Sequence, residues 1–184
     1  MTANMMGLEP RDAAEEHVVA GLLKAFGLPK AFLYQPNPVN ITAAARRQGA
    51  ICFLTELGGG ATVNPALIEQ ARHGLLHLLG YTGVLRGELV PSNPPAVARL
   101  LRSDKALHYV YAMNSGLWEP LVELGATVKA GQPAALIHFP DEPLREPVQV
   151  LFNGDGEVVC KRATAQVQRG DCVSQLAGHR DSIL

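Results

Sequence analysis

The stretch Ala50–Pro65, AICFLTELGGGATVNP, constrains this 184-residue chain more than any other. A short apolar run, Ala50 to Leu54, leads through Thr55 to one carboxylate, Glu56. Three glycines follow, Gly58, Gly59 and Gly60, and then Asn64-Pro65. A short apolar run closed by glycines has the length and punctuation of a buried strand. Asn64 suits a helix N-cap, and Pro65 suits the first helical position, where its missing N–H costs nothing. The stretch therefore predicts strand, tight loop and helix, with Glu56 at the C-terminal end of the strand. In open α/β sheets that end is where ligands bind.

The flanking sequence extends the pattern. Glu9–Phe26 has helical spacing, with Ala14, Val18, Leu22 and Phe26 as its stripe and Val19 and Leu23 widening it. Pro10 fits its first turn, Asp12, Glu15 and Glu16 place negative charge at its positive end, and Gly27 stops it. Ala31–Tyr34 predicts a short strand and Gln35–Asn40, with Pro36 and Pro38, a loop. Thr42–Gln48 predicts a short helix capped by Asn40 or Thr42. Arg46 and Arg47 suit its negative end, and Gly49 stops it. After Pro65 a helix runs to about Leu79 with Leu67, Ala71, Leu75 and Leu78 as its buried stripe. The alternation β, α, β, α predicts parallel strands with helices on the faces. His73 and His77 share a face of the last helix. The residues between them carry no glutamate of the kind a metalloprotease helix uses, so the pair reads as solvated or packed.

Composition excludes several classes. At 47% hydrophobic and 18% charged residues, the chain can bury a core. With net charge −1 and scattered Lys and Arg, it has no basic stripe for nucleic acid. No apolar run nears the ~20 residues of a membrane span, and the N-terminus lacks the basic start and apolar core of a signal peptide. Cys52, Cys160 and Cys172 form no disulfide or zinc-knuckle spacing, which predicts a reduced, cytoplasmic chain.

The character changes after residue 88. Pro91, Pro94 and Pro95 punctuate a connector, placed at 89–104, in which Val97–Leu101 predicts one helical turn. Residues 1–88 then form an α/β part and residues 105–184 a small β domain. Six short strands are expected there: His108–Ala112, Leu117–Val122, Ala134–His138, Val148–Phe152, Glu157–Lys161 and Val173–Leu176. This region repeats itself. Val128-Lys129-Ala130-Gly131-Gln132 matches Val167-Gln168-Arg169-Gly170-Asp171 at an offset of 167 − 128 = 39. Two copies suggest halves related by a pseudo-twofold rather than a solenoid, which needs at least ~3 repeats.

The tail resembles the barrel-sandwich fold of biotinyl and lipoyl carriers. Their modified lysine has no counterpart, because the analogous tip reads Ala112-Met113-Asn114-Ser115-Gly116. The ordered set of motifs resembles the C-terminal half of the succinylglutamate desuccinylase/aspartoacylase family. That set is Thr55-Glu56-Leu57-Gly58-Gly59-Gly60, Asn64-Pro65, Gly80-Tyr81-Thr82-Gly83-Val84-Leu85, then Gly116-Leu117-Trp118-Glu119-Pro120 and Val128-Lys129-Ala130-Gly131-Gln132. The resemblance runs from about Ala25 to Ala177. The subgroup that deacetylates N-acetyl-diaminobutyrate is the most similar.

The resemblance implies the C-terminal part of a carboxypeptidase-A-like α/β domain followed by a small all-β barrel-sandwich domain. It implies a zinc hydrolase that removes an acyl group from a small N-acylated amino acid. Glu56 matches the glutamate that acts as general base and then acid. Amide hydrolysis needs a nucleophile at neutral pH. Zinc lowers the pKa of its water to about 7, and a carboxylate must carry the proton to the leaving amine. An arginine shortly before that glutamate binds the substrate carboxylate, and Arg46 and Arg47 are the candidates. The family's zinc ligands, a His-x-x-Glu pair and a His after Asp-Leu, have no match. His17, His73, His77, His108, His138 and His179 fall elsewhere, so no residue of this chain is assigned to metal. The expectation is a chain carrying the general base without the zinc-ligand half, inactive alone. It would work as a homo-oligomer or with a complementing N-terminal half. The alternative is a non-catalytic interaction module. A phosphate site at Gly58–Gly60 is disfavoured, since no Gly-Lys-[Ser/Thr] follows and Glu56 would repel the anion.

Overall fold

The computed structural model describes residues 3–34, 37–92, 99–103 and 106–179. Contacts divide the chain into an α/β unit, residues 3–58 and 62–102, and a β unit, residues 59–61 and 103–178.

In the α/β unit the elements run β1 (Asn4–Leu8), α1 (Ala13–Phe26), β2 (Lys30–Tyr34), α2 (Ile41–Arg47), β3 (Phe53–Glu56), α3 (Pro65–Tyr81) and β4 (Arg99–Arg102). The strand order is β3-β1-β2-β4. Strand β1 went unread in the sequence, yet it lies inside this sheet, with Met5 fully buried. Its sequence, NMMGL, has no β-branched or aromatic residue, so its strand character comes from its neighbours. Strands β1, β2 and β4 are mutually parallel, but β3 is antiparallel to β1, so the two strands expected to run parallel, β2 and β3, run in opposite directions. The cause is α2. Its Arg46 donates to the Glu9 carbonyl, just past the C-terminal end of β1. The chain therefore re-enters the sheet from that end and must run back. The expected one-turn helix at Val97–Leu101 is a strand where it is described, since Arg99–Arg102 form β4. Val97 and Ala98 lie outside the described residues.

Helix α1 begins at Ala13, later than Glu9, because the Asp12 carboxylate accepts from the Glu15 N–H at 2.8 Å and caps it. Gly27 closes it at φ 74°, as expected. Its buried face is Glu15, Val19, Ala20, Leu23 and Phe26, while Val18 is exposed. Both candidate stripes have the same period, so periodicity could not choose between them. The fit onto β1 does, since a Cβ on Gly7 would sit 2.7 Å from Val19. Helix α3 buries only Gly74, and Leu75, expected in the core, is half exposed. Gly74 lies against the Phe26 carbonyl and ring, and Gly21 against Tyr81, so α1 and α3 cross antiparallel and closely. Met5, Val19, Leu23, Phe26, Leu28, Ala31, Leu33 and Leu100 form the core of this unit.

The β unit holds β5 (Tyr109–Tyr111), β6 (Gly116–Pro120), β7 (Thr127–Val128), β8 (Pro133–His138), β9 (Val148–Leu151), β10 (Gly156–Lys161), β11 (Gln166–Val167) and β12 (Cys172–His179). Strand β12 pairs with β5 and β10, and β10 with β7; the second sheet runs β11-β6-β8-β9. All six expected strands are present. The two additional ones, β7 and β11, are two residues each and hold Val128 and Val167, the first residues of the repeated motif.

The repeat is structural. Gly131 donates to the Phe152 carbonyl, and Gly170 to that of Ala112. Phe152 donates back to Gln132, and Ala112 to Asp171. Ala130 N–H donates to the Asp155 side chain, and Arg169 N–H to Ser115. Val128 pairs with Gly156, and Val167 with Gly116. Each half thus lends its short strand to the other's sheet. Val110, Trp118, Ile137, Phe152, Val158 and Leu176 are among the residues of the single core this closes over.

Candidate functional site

Glu56 is the last residue of β3, half-buried and paired across from Asn4. Two covalent steps on, Gly58 has φ 104°, and Gly60 has φ 74°. These left-handed values are cheap for glycine and strained for other residues, which accounts for Gly58 and Gly60. Ala61 shares the strain at φ 55°. Asn64 then accepts from the N–H groups of Ala66 and Leu67, and Pro65 opens α3. The strand, loop and capped helix are thus as expected. The sheet end is not. Because β3 runs against β1, Glu56 stands at the N-terminal ends of the parallel strands, so the rule placing ligands at their C-terminal ends does not locate it.

No hydrogen bond or ion pair engages the Glu56 carboxylate among the described residues. Two sizeable concavities lie elsewhere. One of about 680 Å3 runs along α1 beside Tyr81, and one of about 610 Å3 lies in the β unit around Ser115 and Arg145. Glu56 lines neither.

Arg46 and Arg47 sit on α2, at the other end of β1. Arg46 donates to the Glu9 carbonyl at 2.6 Å and to Glu15 at 3.1 Å, and Arg47 donates to the Pro38 carbonyl. Asn4 to Glu9 is five residues of strand, about 16 Å at ~3.3 Å per residue. The structure therefore does not bring these arginines to Glu56. Arg46 and Glu15 form a nearly buried ion pair, their side chains 13% and 6% exposed. Burial pushes the Glu15 carboxyl up. Hydrogen bonds from Arg11 and the Arg46 charge outweigh that and hold it below the usual carboxylate value. Sequence reasoning placed Glu15 only as a helix-dipole charge. The available cue was its spacing: it stands four residues before Val19 and eight before Leu23, on the buried face.

Among the described side chains the histidines do not converge. His73 lies 3.2 Å from Glu69 on the exposed face of α3, and His138 lies 2.7 Å from Glu119 in the β unit. His108 is buried, and His17 is on α1. Among the described residues no three His, Cys, Asp or Glu side chains gather as a metal site requires.

Known proteins supply the remaining information. Residues 2–82 match the family model for the succinylglutamate desuccinylase/aspartoacylase catalytic domain. The N-alpha-acetyl-L-2,4-diaminobutyric acid deacetylase of Halomonas elongata is 31% identical over 168 residues, which is 90% of this chain and 48% of that one. The crystal structure of a succinylglutamate desuccinylase/aspartoacylase from Rhodobacter sphaeroides is 28% identical with TM-score 0.85, covering 98% of this chain and 54% of that one. The product-bound ectoine utilization protein EutE (DoeB) of Ruegeria pomeroyi shares the fold at 24% identity and TM-score 0.85, with 96% of this chain and 53% of that one covered. The chain spans about half the length of these relatives.

Proposed function

Because this chain belongs to the succinylglutamate desuccinylase/aspartoacylase family, we propose that it supplies the proton-transfer carboxylate of a hydrolase that removes an acyl group from an N-acylated amino acid. The observation that carries the reading is Glu56 itself: a carboxylate at a strand end, before a loop whose Gly58 and Gly60 let another group approach. A strand end restrains the carboxylate better than a loop does. One Glu56 oxygen takes the proton from the water that attacks the acyl carbonyl. The same carboxylate then returns the proton to the departing amine nitrogen as the C–N bond breaks. The hydroxyl oxygen stays on the acyl carbon and leaves as the carboxylate product.

The finer reading is a family enzyme whose metal-ligand patterns, His-x-x-Glu and Asp-Leu-His, occur nowhere in these 184 residues. The chain by itself is then expected to hold no stoichiometric zinc and to hydrolyse neither N-acetyl nor N-succinyl amino acids. The similarity to the Halomonas elongata deacetylase favours N-acetyl-diaminobutyrate as the first substrate to try. The test is metal analysis and turnover of the purified chain, then the same assay with a polypeptide supplying the rest of a relative. Activity that appears and survives Glu56→Gln would remove the assignment.

A further inference from the structure

The internal repeat gives the β unit two equivalent tips, residues 153–155 and 113–115, and they are finished differently. Val128 pairs with Gly156 and Val167 with Gly116, so Asp155 corresponds to Ser115, Lys129 to Gln168 and Gly154 to Asn114. In the first tip Asp155 accepts from the Ala130 N–H at 2.9 Å and forms an ion pair with Lys129 at 2.7 Å. A Cβ on Gly154 would meet Leu107 at 3.2 Å, so that tip is filled. In the second tip Ser115 accepts from the Arg169 N–H at 3.1 Å, and a hydroxyl and an amide replace the charged pair. Here lies the concavity of about 610 Å3, lined by Asn114, Ser115 and Gln168 among others.

Its remaining wall is the connection between β8 and β9. Two successive turns shape it: the Glu142 N–H donates to the Phe139 carbonyl, and the Arg145 N–H to the Glu142 carbonyl. The Arg145 guanidinium lies over the Phe139 ring, 3.6 Å from its centroid, and its Nη1 donates to Glu142 at 2.9 Å. These two contacts fix the guanidinium. Its Nε and Nη2 groups, and the Asp141 carboxylate, have no hydrogen bond or ion pair among the described residues. Asp141, Glu142 and Arg145 all line the concavity.

This set selects a ligand by elimination. Arg145 covers one face of Phe139, and the ring packs against the core of the β unit, so no face is left to stack a sugar or a nucleobase. Two carboxylates against one guanidinium oppose a phosphate polyanion. A small zwitterion is complementary. Its carboxylate meets the free N–H groups of Arg145, its ammonium meets Asp141, and Asn114, Ser115 and Gln168 supply neutral partners around it.

We propose that this cleft binds a free α-amino acid, its carboxylate on Arg145 and its ammonium on Asp141. The proposal rests on the functional reading above for the choice of amino acid, because hydrolysis of an N-acylated amino acid releases one. The site itself is built by the β unit alone.

The experiment titrates the purified 184-residue chain with L-2,4-diaminobutyrate and follows amide chemical shifts and calorimetry. One molecule should bind per chain, with shifts confined to residues 113–117, 139–145 and 166–169. Arg145→Gln and Asp141→Asn, both at exposed positions, should leave the circular dichroism unchanged and each weaken binding at least about tenfold. Asp155→Asn, in the filled tip, should leave binding unchanged. The carboxamide of the same amino acid lacks the carboxylate, and its diacetyl form lacks both ammonium groups. Each should bind at least about tenfold more weakly. No binding up to about 10 mM, shifts elsewhere in the chain, or binding indifferent to both substitutions overturns the site. Glu56→Gln should leave this titration as it is, which separates the two claims. If the assembled enzyme carrying Glu56→Gln stays active and the titration is as expected, the proton-transfer role falls and the site stands. If Glu56→Gln abolishes activity and the chain binds no amino acid, the role stands and the site falls.

Discussion

The two units of this chain close their structures in opposite ways. In the β unit each half of an internal repeat lends a two-residue strand to the sheet of the other, and Ile137 and Leu176 at the centre are fully buried. In the α/β unit β3 has no strand on its outer side among the described residues, and a 17-residue helix buries a single glycine. The difference shows where function has room. In the α/β unit the Glu56 carboxylate ends the edge strand β3, and the exposed Leu57 and Val63 follow it.

The largest expected effect tests that division. In an assembled, active enzyme, Glu56→Gln should lower kcat by about 10²–10⁴-fold while leaving the melting temperature unchanged, since the loss is of proton transfer alone. Substitution of exposed β-unit residues such as Leu151, 44% exposed, should leave kcat unaffected.

Core truncation should separate the units next. Ile137→Ala removes a fully buried side chain from the closed core and should cost about 3–4 kcal/mol in denaturant titration. Leu75→Ala, at a half-exposed position of α3, should cost under about 1 kcal/mol. Equal costs would mean that α3 is covered after all.

The Glu15–Arg46 pair ranks close behind. Arg46→Ala leaves a nearly buried carboxylate facing only Arg11 and should cost about 3 kcal/mol at pH 7. The Glu15 carboxyl is held below its unfolded value, so its contribution is present at neutral pH and is lost as pH falls through the folded value. The difference in stability between wild type and Arg46→Ala should therefore shrink in acid. A difference that grew on acidification would contradict the pairing.

The smallest effect sharpens the helix contact. A Cβ at Gly74 would meet the Phe26 carbonyl at 2.7 Å, and neither backbone can yield, so Gly74→Ala should destabilise by about 1–2 kcal/mol despite a helix-propensity gain of about 1. At Gly21 the obstacle is the end of the half-exposed Tyr81 side chain, which can swing out. Gly21→Ala should fall within about 0.5 kcal/mol of wild type.

Much of the α/β and β organisation was legible in the sequence because it is written in local chemistry. The glycine and asparagine caps, the Asn64-Pro65 helix start and the valine–glycine repeat each act within a few residues. Strand β1 was not legible, since NMMGL carries no strand preference of its own and is a strand because β2 and β3 flank it. The site divided the same way. Glu56 at a strand end was read directly, whereas the ion pair that occupies Arg46 joins residues 31 positions apart and has no local signature.

The sequence by itself determined the three helices and most of the strands, the punctuation around Glu56 and the twofold repeat of the β unit, because caps, turns and periodicity are short-range constraints. Only the tertiary structure decided the direction of β3, the face α1 buries and the separation of Arg46 from Glu56. Each of these depends on which surfaces meet, and a sheet can accept a strand in either direction, or a helix on either of two equally periodic faces, until packing selects one.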